Sequence, residues 1–274
     1  MCNKLNVSRN GYYSWLRSES RPKDTMLVHL IRLAFNESMQ TYGTRRIKRF
    51  IEKEYGFIVS RRRIAKIMRV LDLKVKSKKR FKVITTDSKH NLAISPNRLR
   101  QDFTACRPNE VYVGDITYIR TQQGWLYLAT VIDLFSRSVV GYAIDDRLYT
   151  RIIVNALNMT RTKRSSIFGS IFHSDRGSQY ASDEFREYLN RYGMIQSMSA
   201  KGNCYDNAVA ESFFHTLKTE LIHHVRFQSK EEAAKAISEY IYFYNTKRLH
   251  SYNDYLSPVE AEIRWWLNEN SKAA

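Results

Sequence analysis

The chain has 274 residues, 43% of them hydrophobic and 26% charged, and a formal net charge of +18 that is not evenly spread. Residues 1–100 hold 25 Lys and Arg against 7 Asp and Glu, whereas residues 101–274 hold 20 of each, which predicts a basic nucleic-acid-binding module joined to a neutral globular body. No apolar run is long enough to span a membrane, no signal peptide is visible and the three cysteines lie far apart without zinc spacing, so the expectation is a cytoplasmic protein in a reducing compartment, with no membrane partner.

In chain order, residues 1–22 read as a partial helix-turn-helix. Leu5–Leu16 supplies the turn and second helix, with Ser8 as its cap. The first helix would have to precede Met1, so either residues 1–4 form a stunted helix or the working polypeptide is longer at this end. Residues 23–73 are expected to form a second helix-turn-helix, with a helix at 42–51, a turn at Tyr55-Gly56-Phe57 and a helix after Ser60 as N-cap. Ile64, Ile67 and Met68 would face inward. Arg61, Arg62, Lys66 and Arg69, with Arg45 and Arg46 on the preceding helix, are the candidate DNA contacts. An ordinary solvated helix hairpin would show the same pattern. Residues 74–104 read as a basic linker, extended over 74–90, and the character of the sequence changes at Ser95-Pro96-Asn97.

From residue 105 the pattern becomes mixed α/β. Strands at 110–120, 125–133 and 139–144, joined by short turns, predict an antiparallel meander. A helix at 149–161, a buried strand at 168–174, a helix at 182–192 and a short parallel strand at 194–198 follow. The segment 199–206 is expected to be a mobile loop before a helix capped by Asp206 or Asn207. The helix at 230–246 ends in Tyr240, Tyr242, Phe243 and Tyr244, read as core ahead of a base-stacking surface. A five-stranded mixed sheet covered by helices on both faces accounts for this order.

Three carboxylates carry the chemistry. Asp115 interrupts the apolar alternation of Val111–Ile119, Asp175 ends the run Ile171–Ser174, and Glu211 lies in the amphipathic helix that follows Asn207. Among 27 acidic residues some such triple arises by chance, but an acid inside an apolar strand is costly unless it is paired or binds a metal. Oxygen ligands of this kind suit magnesium or manganese, and a pair of such ions can assist phosphodiester chemistry. Glu211, His215 and Lys218 fall at i, i+4 and i+7, on one helix face, from which Lys218 could reach a phosphate. The adjacent His223-His224 reads as an exposed helix end.

The motifs Pro108–Tyr118, Val131–Arg137, His173–Tyr180 and Ser199–Phe214 together resemble the OrfB-type transposases of bacterial insertion sequences, whose core is related to retroviral integrases and folds like ribonuclease H. The resemblance extends to Tyr244-Asn245 and Leu256-Ser257-Pro258 and so covers nearly the whole chain. It implies that residues 105–274 form an integrase-like catalytic core with C-terminal helices. Asp115, Asp175 and Glu211 would be its catalytic carboxylates, holding two magnesium or manganese ions, with Lys218 as the basic residue that follows the glutamate. It further implies double-stranded DNA as partner (terminal inverted repeats and target), assembly as a homo-oligomer on paired ends, nucleoid association when bound to DNA, and fusion to an upstream DNA-binding frame by ribosomal frameshifting. A structure-specific nuclease on the same fold would cut without joining. A regulator without catalysis is disfavoured by the intact carboxylate set.

Overall fold

The structure, a computed structural model, describes residues 7–19, 25–76, 92–200 and 204–273. The chain divides into two compact units, Met1–Val75 and Lys76–Ala274. Among the described residues no helix is long and apolar enough to cross a membrane.

The first unit contains α1 (Arg9–Glu19), α2 (Thr25–Glu37), α3 (Thr44–Tyr55) and α4 (Arg61–Val70). Ser8 caps α1 as expected, its hydroxyl accepting from the Gly11 N–H at 2.9 Å. Helix α2 was not anticipated, although its buried residues Leu27, Leu30, Ile31, Ala34 and Phe35 repeat at helical spacing. They pack with Ile47 and Ile51 of α3 and with Ile64 and Met68 of α4. Helix α3 runs to Tyr55, one turn past the expected end at 51, and stops where Gly56 adopts φ 64° and its N–H reaches the Glu52 carbonyl. Ser60 caps α4 by accepting from the Arg63 N–H at 3.3 Å. Ile67 is half-exposed instead of facing inward, because the buried stripe of α4 is only one residue wide per turn.

The second unit is built on a five-stranded sheet in the order β3-β2-β1-β4-β5. These are β1 (Val111–Thr121), β2 (Gly124–Asp133), β3 (Val139–Asp145), β4 (Ile171–Ser174) and β5 (Ile195–Met198). The β1–β2–β3 meander is antiparallel and β5 is parallel to β4, as the sequence predicts; β4 itself adds in parallel beside β1. On one face, Val111, Val113 and Ile119 of β1 pack with α8 (Ala208–Glu220) and α9 (Lys230–Thr246). On the other, Tyr112, Ala129 and Val131 pack with α5 (Thr150–Lys163), α6 (Ser178–Ala181) and α7 (Asp183–Arg191). Gly141 lets α5 lie directly on β3, since a Cβ there would stand 2.1 Å from the Ala156 carbonyl oxygen. Tyr240, Phe243 and Tyr244 are core, whereas Tyr242 is 66% exposed. The terminal helix α10 (Pro258–Ala273), absent from the sequence reading, is tied down where Glu262 takes two hydrogen bonds from Arg164 at 2.7 and 2.8 Å.

Of the extended stretch expected at 74–90, residues 77–90 lie outside the described residues, as do residues 201–203 of the loop expected to be mobile at 199–206. The rest of the expected linker packs within the second unit. Ser95 Oγ donates to Gln196 Oε1 at 2.6 Å, the Arg98 N–H donates to Ser197 Oγ at 2.9 Å, and Leu99 is buried in the α8–α9 core.

Candidate active site

Strand register brings the two aspartates together. Gly114, the residue before Asp115 in the central strand, pairs with Ser174, the residue before Asp175 at the end of β4. Parallel neighbours lie about 4.8 Å apart, so the two carboxylates leave adjacent strands at nearly the same height. Each is oriented by backbone. Asp115 Oδ1 accepts from the Ile116 N–H at 2.8 Å, and Asp175 Oδ1 accepts from the Gly177 N–H at 2.9 Å.

Burial, followed by the charge of Asp175, pushes the Asp115 carboxyl well above the usual carboxylate range; Glu211 adds to this, and the Ile116 N–H and the Lys218 charge act against it. Glu211 and Lys218 of α8 therefore lie within electrostatic reach of Asp115, from the helix that covers one face of its strand. Glu211 and His215 are exposed and Lys218 is half-buried, its ammonium 5.5 Å from the centre of the Tyr118 ring. Among the described residues, however, no three His, Cys, Asp or Glu side chains converge closely enough to hold one ion. Asp115 and Asp175 are paired by strand register, and Glu211 acts on Asp115 from α8.

An open cleft is lined by Asp115, Asp175, Gly177, Ser178, Gln179 and Tyr180 on one side, and by Ile116, Tyr118, Tyr127 and Leu148 on the other. Tyr180 is buried, and its phenol is pushed well above its ordinary range, first by that burial and then by the charges of Asp115 and Asp175. Two repelling carboxylates offering only oxygen donors at a partly open site fit a hard divalent cation.

A hydrogen-bonded knot behind the pair escaped the sequence reading. His173, two residues before Asp175 and fully buried, contacts the Asp206 carbonyl oxygen through Nε2 at 2.9 Å and Ser197 Oγ through Nδ1 at 2.8 Å. A carbonyl only accepts, so Nε2 carries the proton and Nδ1 accepts from the Ser197 hydroxyl, in keeping with a pKa lowered by burial. Asp206 in turn accepts from the Ala200 N–H at 2.7 Å and from Asn97 Nδ2 at 2.9 Å. Asp206 thus closes the approach to α8 from outside the helix. Asn207 takes the N-cap position without a side-chain bond. The only sequence signal for this knot is a polar run, His173-Ser174, inside an otherwise apolar strand.

The basic residues singled out in the first unit are placed as follows. Arg45, Arg61, Arg62, Lys66 and Arg69 are exposed, and Arg61 Nε donates to Thr44 Oγ1 at 3.4 Å. Arg46 is half-exposed, its guanidinium 5.8 Å from the Tyr42 ring centre. His223 and His224 form an exposed 3₁₀ turn beyond α8.

Comparison with known proteins adds three findings. Integrase core domain families match residues 105–204 and 211–264, and an HTH-like domain matches residues 22–81. The chain is 43% identical over 263 residues to an insertion element IS600 uncharacterized 31 kDa protein of Shigella sonnei, covering 94% of this chain and 96% of that one. It is 39% identical over 268 residues to the transposase InsF for insertion sequence IS3A of Escherichia coli strain K12, covering 96% and 92% respectively. A chain in the intasome of simian T-cell lymphotropic virus, solved with PP2A regulatory subunit B56 gamma, superposes with a TM-score of 0.50 at 16% identity, over 74% of this chain and 67% of that one, a likeness of fold.

Proposed function

The chain belongs to the insertion-sequence transposases that carry an integrase core domain and acts as a DNA transposase, and we propose that its chemistry is phosphoryl transfer centred on Asp115, Asp175 and Glu211. The observation that carries this assignment is the register-matched pair Asp115 and Asp175 at the end of β4, with Glu211 and Lys218 of α8 within electrostatic reach.

Asp115 and Asp175 would hold magnesium or manganese, with Glu211 joining them from α8. Such ions, when bound, activate an attacking oxygen and stabilise the leaving oxygen of a phosphodiester. The residues supply position and charge. In cleavage, a water oxygen attacks phosphorus, the P–O3′ bond breaks, the departing strand keeps a 3′-hydroxyl and the water proton passes to solvent. In joining, that 3′-hydroxyl attacks a target phosphodiester, forming one P–O bond while the target's own P–O3′ bond breaks. Lys218 neutralises a phosphate beside the carboxylates. The HTH-like unit contributes DNA affinity, with Arg45, Arg46, Arg61, Arg62, Lys66 and Arg69 as its contacts on the element's terminal repeats.

The test is cleavage and joining of a labelled duplex bearing the element's ends, with magnesium or manganese, for wild type, Asp175→Asn and Glu211→Gln. Wild type is expected to give joined product, and the variants to lose both steps while binding DNA as before. Cleavage without joining would replace the transposase by a nuclease. Variants that lose DNA binding in parallel with activity would overturn the carboxylate assignment.

A further inference from the structure

The cleft does not end at the carboxylates. Farther along the β1–β2 hairpin, Tyr118 pairs with Tyr127 and Arg120 with Trp125. Directly opposed residues of an antiparallel pair project to the same face, as do alternate residues along each strand, so these four side chains share a face with Ile116. Tyr118 and Tyr127 line the same cleft as Asp115 and Asp175. Trp125 is 47% exposed and meets Tyr118 edge-on, with ring centres 5.0 Å apart and planes at 86°. At the rim beyond Leu148, Tyr149 is 60% exposed.

Cations are interleaved with these rings. The Lys218 ammonium lies near Tyr118, and Arg120, Arg147 and Arg151 are exposed. Two acids lie nearby: Asp145, opposite Tyr127 on β3, accepts from the Arg147 N–H at 3.1 Å, and Asp146 is engaged by Lys230 Nζ at 3.4 Å. At about 3.4 Å per residue, the Tyr118–Tyr127 pair stands about 10 Å from Asp115 along the strand and the Arg120–Trp125 pair about 17 Å; both lie an odd number of residues from Asp115, whose side chain leaves the other face of β1 and meets Tyr118 and Tyr127 at the cleft they share. That is the span of the first nucleotides beside a phosphodiester placed at the carboxylates.

We propose that this aromatic ledge takes an unpaired nucleobase of the strand being cut, stacked on Trp125 and flanked by Tyr127, with Arg120 on the adjoining phosphate. The proposal rests on the transposase reading of the cleft and names a subsite within it. A phosphodiester at the end of a paired duplex enters a concave cleft more readily if its flanking base leaves the stack. Unpairing is unfavourable, and stacking on an aromatic side chain offsets part of it whatever the base is. Exposed aromatic rings interleaved with arginine and lysine suit an anionic strand with π-faces better than they suit an apolar protein surface.

The experiment uses the full chain and duplexes with 5-iodouracil at the base flanking the scissile phosphodiester or at an internal paired position. Irradiation is expected to crosslink the flanking base to the peptide containing Trp125 and Tyr127, and the internal base not to it. Trp125→Ala is expected to cut a fully paired end about tenfold more slowly, corresponding to about 1.4 kcal/mol of lost stacking. A mismatch that pre-opens the flanking base should restore most of that rate, and Trp125→Phe should retain it. A thermal melt checks that both variants fold. If wild type cuts and joins while Trp125→Ala matches it on paired and mismatched ends, or the crosslink maps elsewhere, the ledge is overturned and the transposase reading stands. If wild type neither cuts nor joins either duplex, the transposase reading fails and takes the ledge with it.

Discussion

Replacing Arg248 with methionine tests what fixes the far end of α8, the helix that carries Glu211. Arg248 and Glu220 are both buried, joined by Nη2–Oε1 at 2.7 Å and Nε–Oε2 at 2.9 Å, and the Tyr240 hydroxyl donates to Glu220 Oε2 at 2.7 Å. Two terms oppose each other. Withdrawing both charges from water costs several kcal/mol per ion, and their attraction offsets this only with good geometry and further hydrogen bonds. Glu220 has both. The pair is therefore close to neutral as a whole, yet removing one member leaves a buried carboxylate without its opposite charge, a loss of about 3–5 kcal/mol. In a domain of this size each kcal/mol lowers Tm by about 2–4 °C, so Arg248→Met should lower it by about 6–20 °C. The double variant Arg248→Met/Glu220→Leu removes the stranded charge and should recover most of that loss. Urea unfolding followed by circular dichroism on wild type, both single variants and the double closes the cycle. A double variant no more stable than Arg248→Met, or a single-variant loss below about 1 kcal/mol, would refute the argument.

Asp133 supplies a pH signature. Burial, ahead of its other influences, pushes its carboxyl up to about 6. With an unfolded value near ~3.9, the native state holds the proton more tightly, so stability is fully present below about pH 4 and falls by about 2–3 kcal/mol as pH rises through 6. Asp133→Asn should flatten the unfolding free energy between pH 4 and about 6.5 relative to wild type, and parallel profiles for the two proteins would sink this reading. Thr130, directly opposite Asp115, buries a hydroxyl with no hydrogen-bond partner. Thr130→Val keeps its shape and removes the unmet polar group, so it should stabilise the unit by about 1 kcal/mol in the same unfolding assay; a destabilisation would show that the hydroxyl is satisfied in solution. In the first unit, alanine at Arg61, Arg62 and Lys66 should weaken DNA binding and reduce the slope of log K against log salt by up to about 2.7, at about 0.9 per phosphate contact. An unchanged slope in a salt titration would remove α4 from the DNA interface.

The sequence alone determined what depends on neighbouring residues. Apolar alternation marked β1 and a short apolar run marked β4, short turns made the first three strands antiparallel, and a helical crossover made β5 parallel. Ser8 and Ser60 could be named as caps because a cap bond closes within three residues. Counting charge set the basic residues 1–100 apart from the neutral residues 101–274, although the structural division falls earlier, between Val75 and Lys76. Among the helices the residue pattern did not place, α2 and α10 escaped for opposite reasons. Helix α2 carries a legible apolar stripe, whereas α10 leaves Ile263, Trp266 and Leu267 exposed, so its apolar residues do not mark its buried face. Tertiary structure decided the rest, because it joins residues whose separation along the chain carries no pattern. Pairing of Gly114 with Ser174 sets Asp115 beside Asp175 across sixty residues, and packing of α8 over the sheet brings Glu211 within electrostatic reach of Asp115. His173, Asn97 and Asp206 meet only because β4, the segment before β1 and the approach to α8 converge, and hydrogen-bond demand in a buried space then fixes each partner.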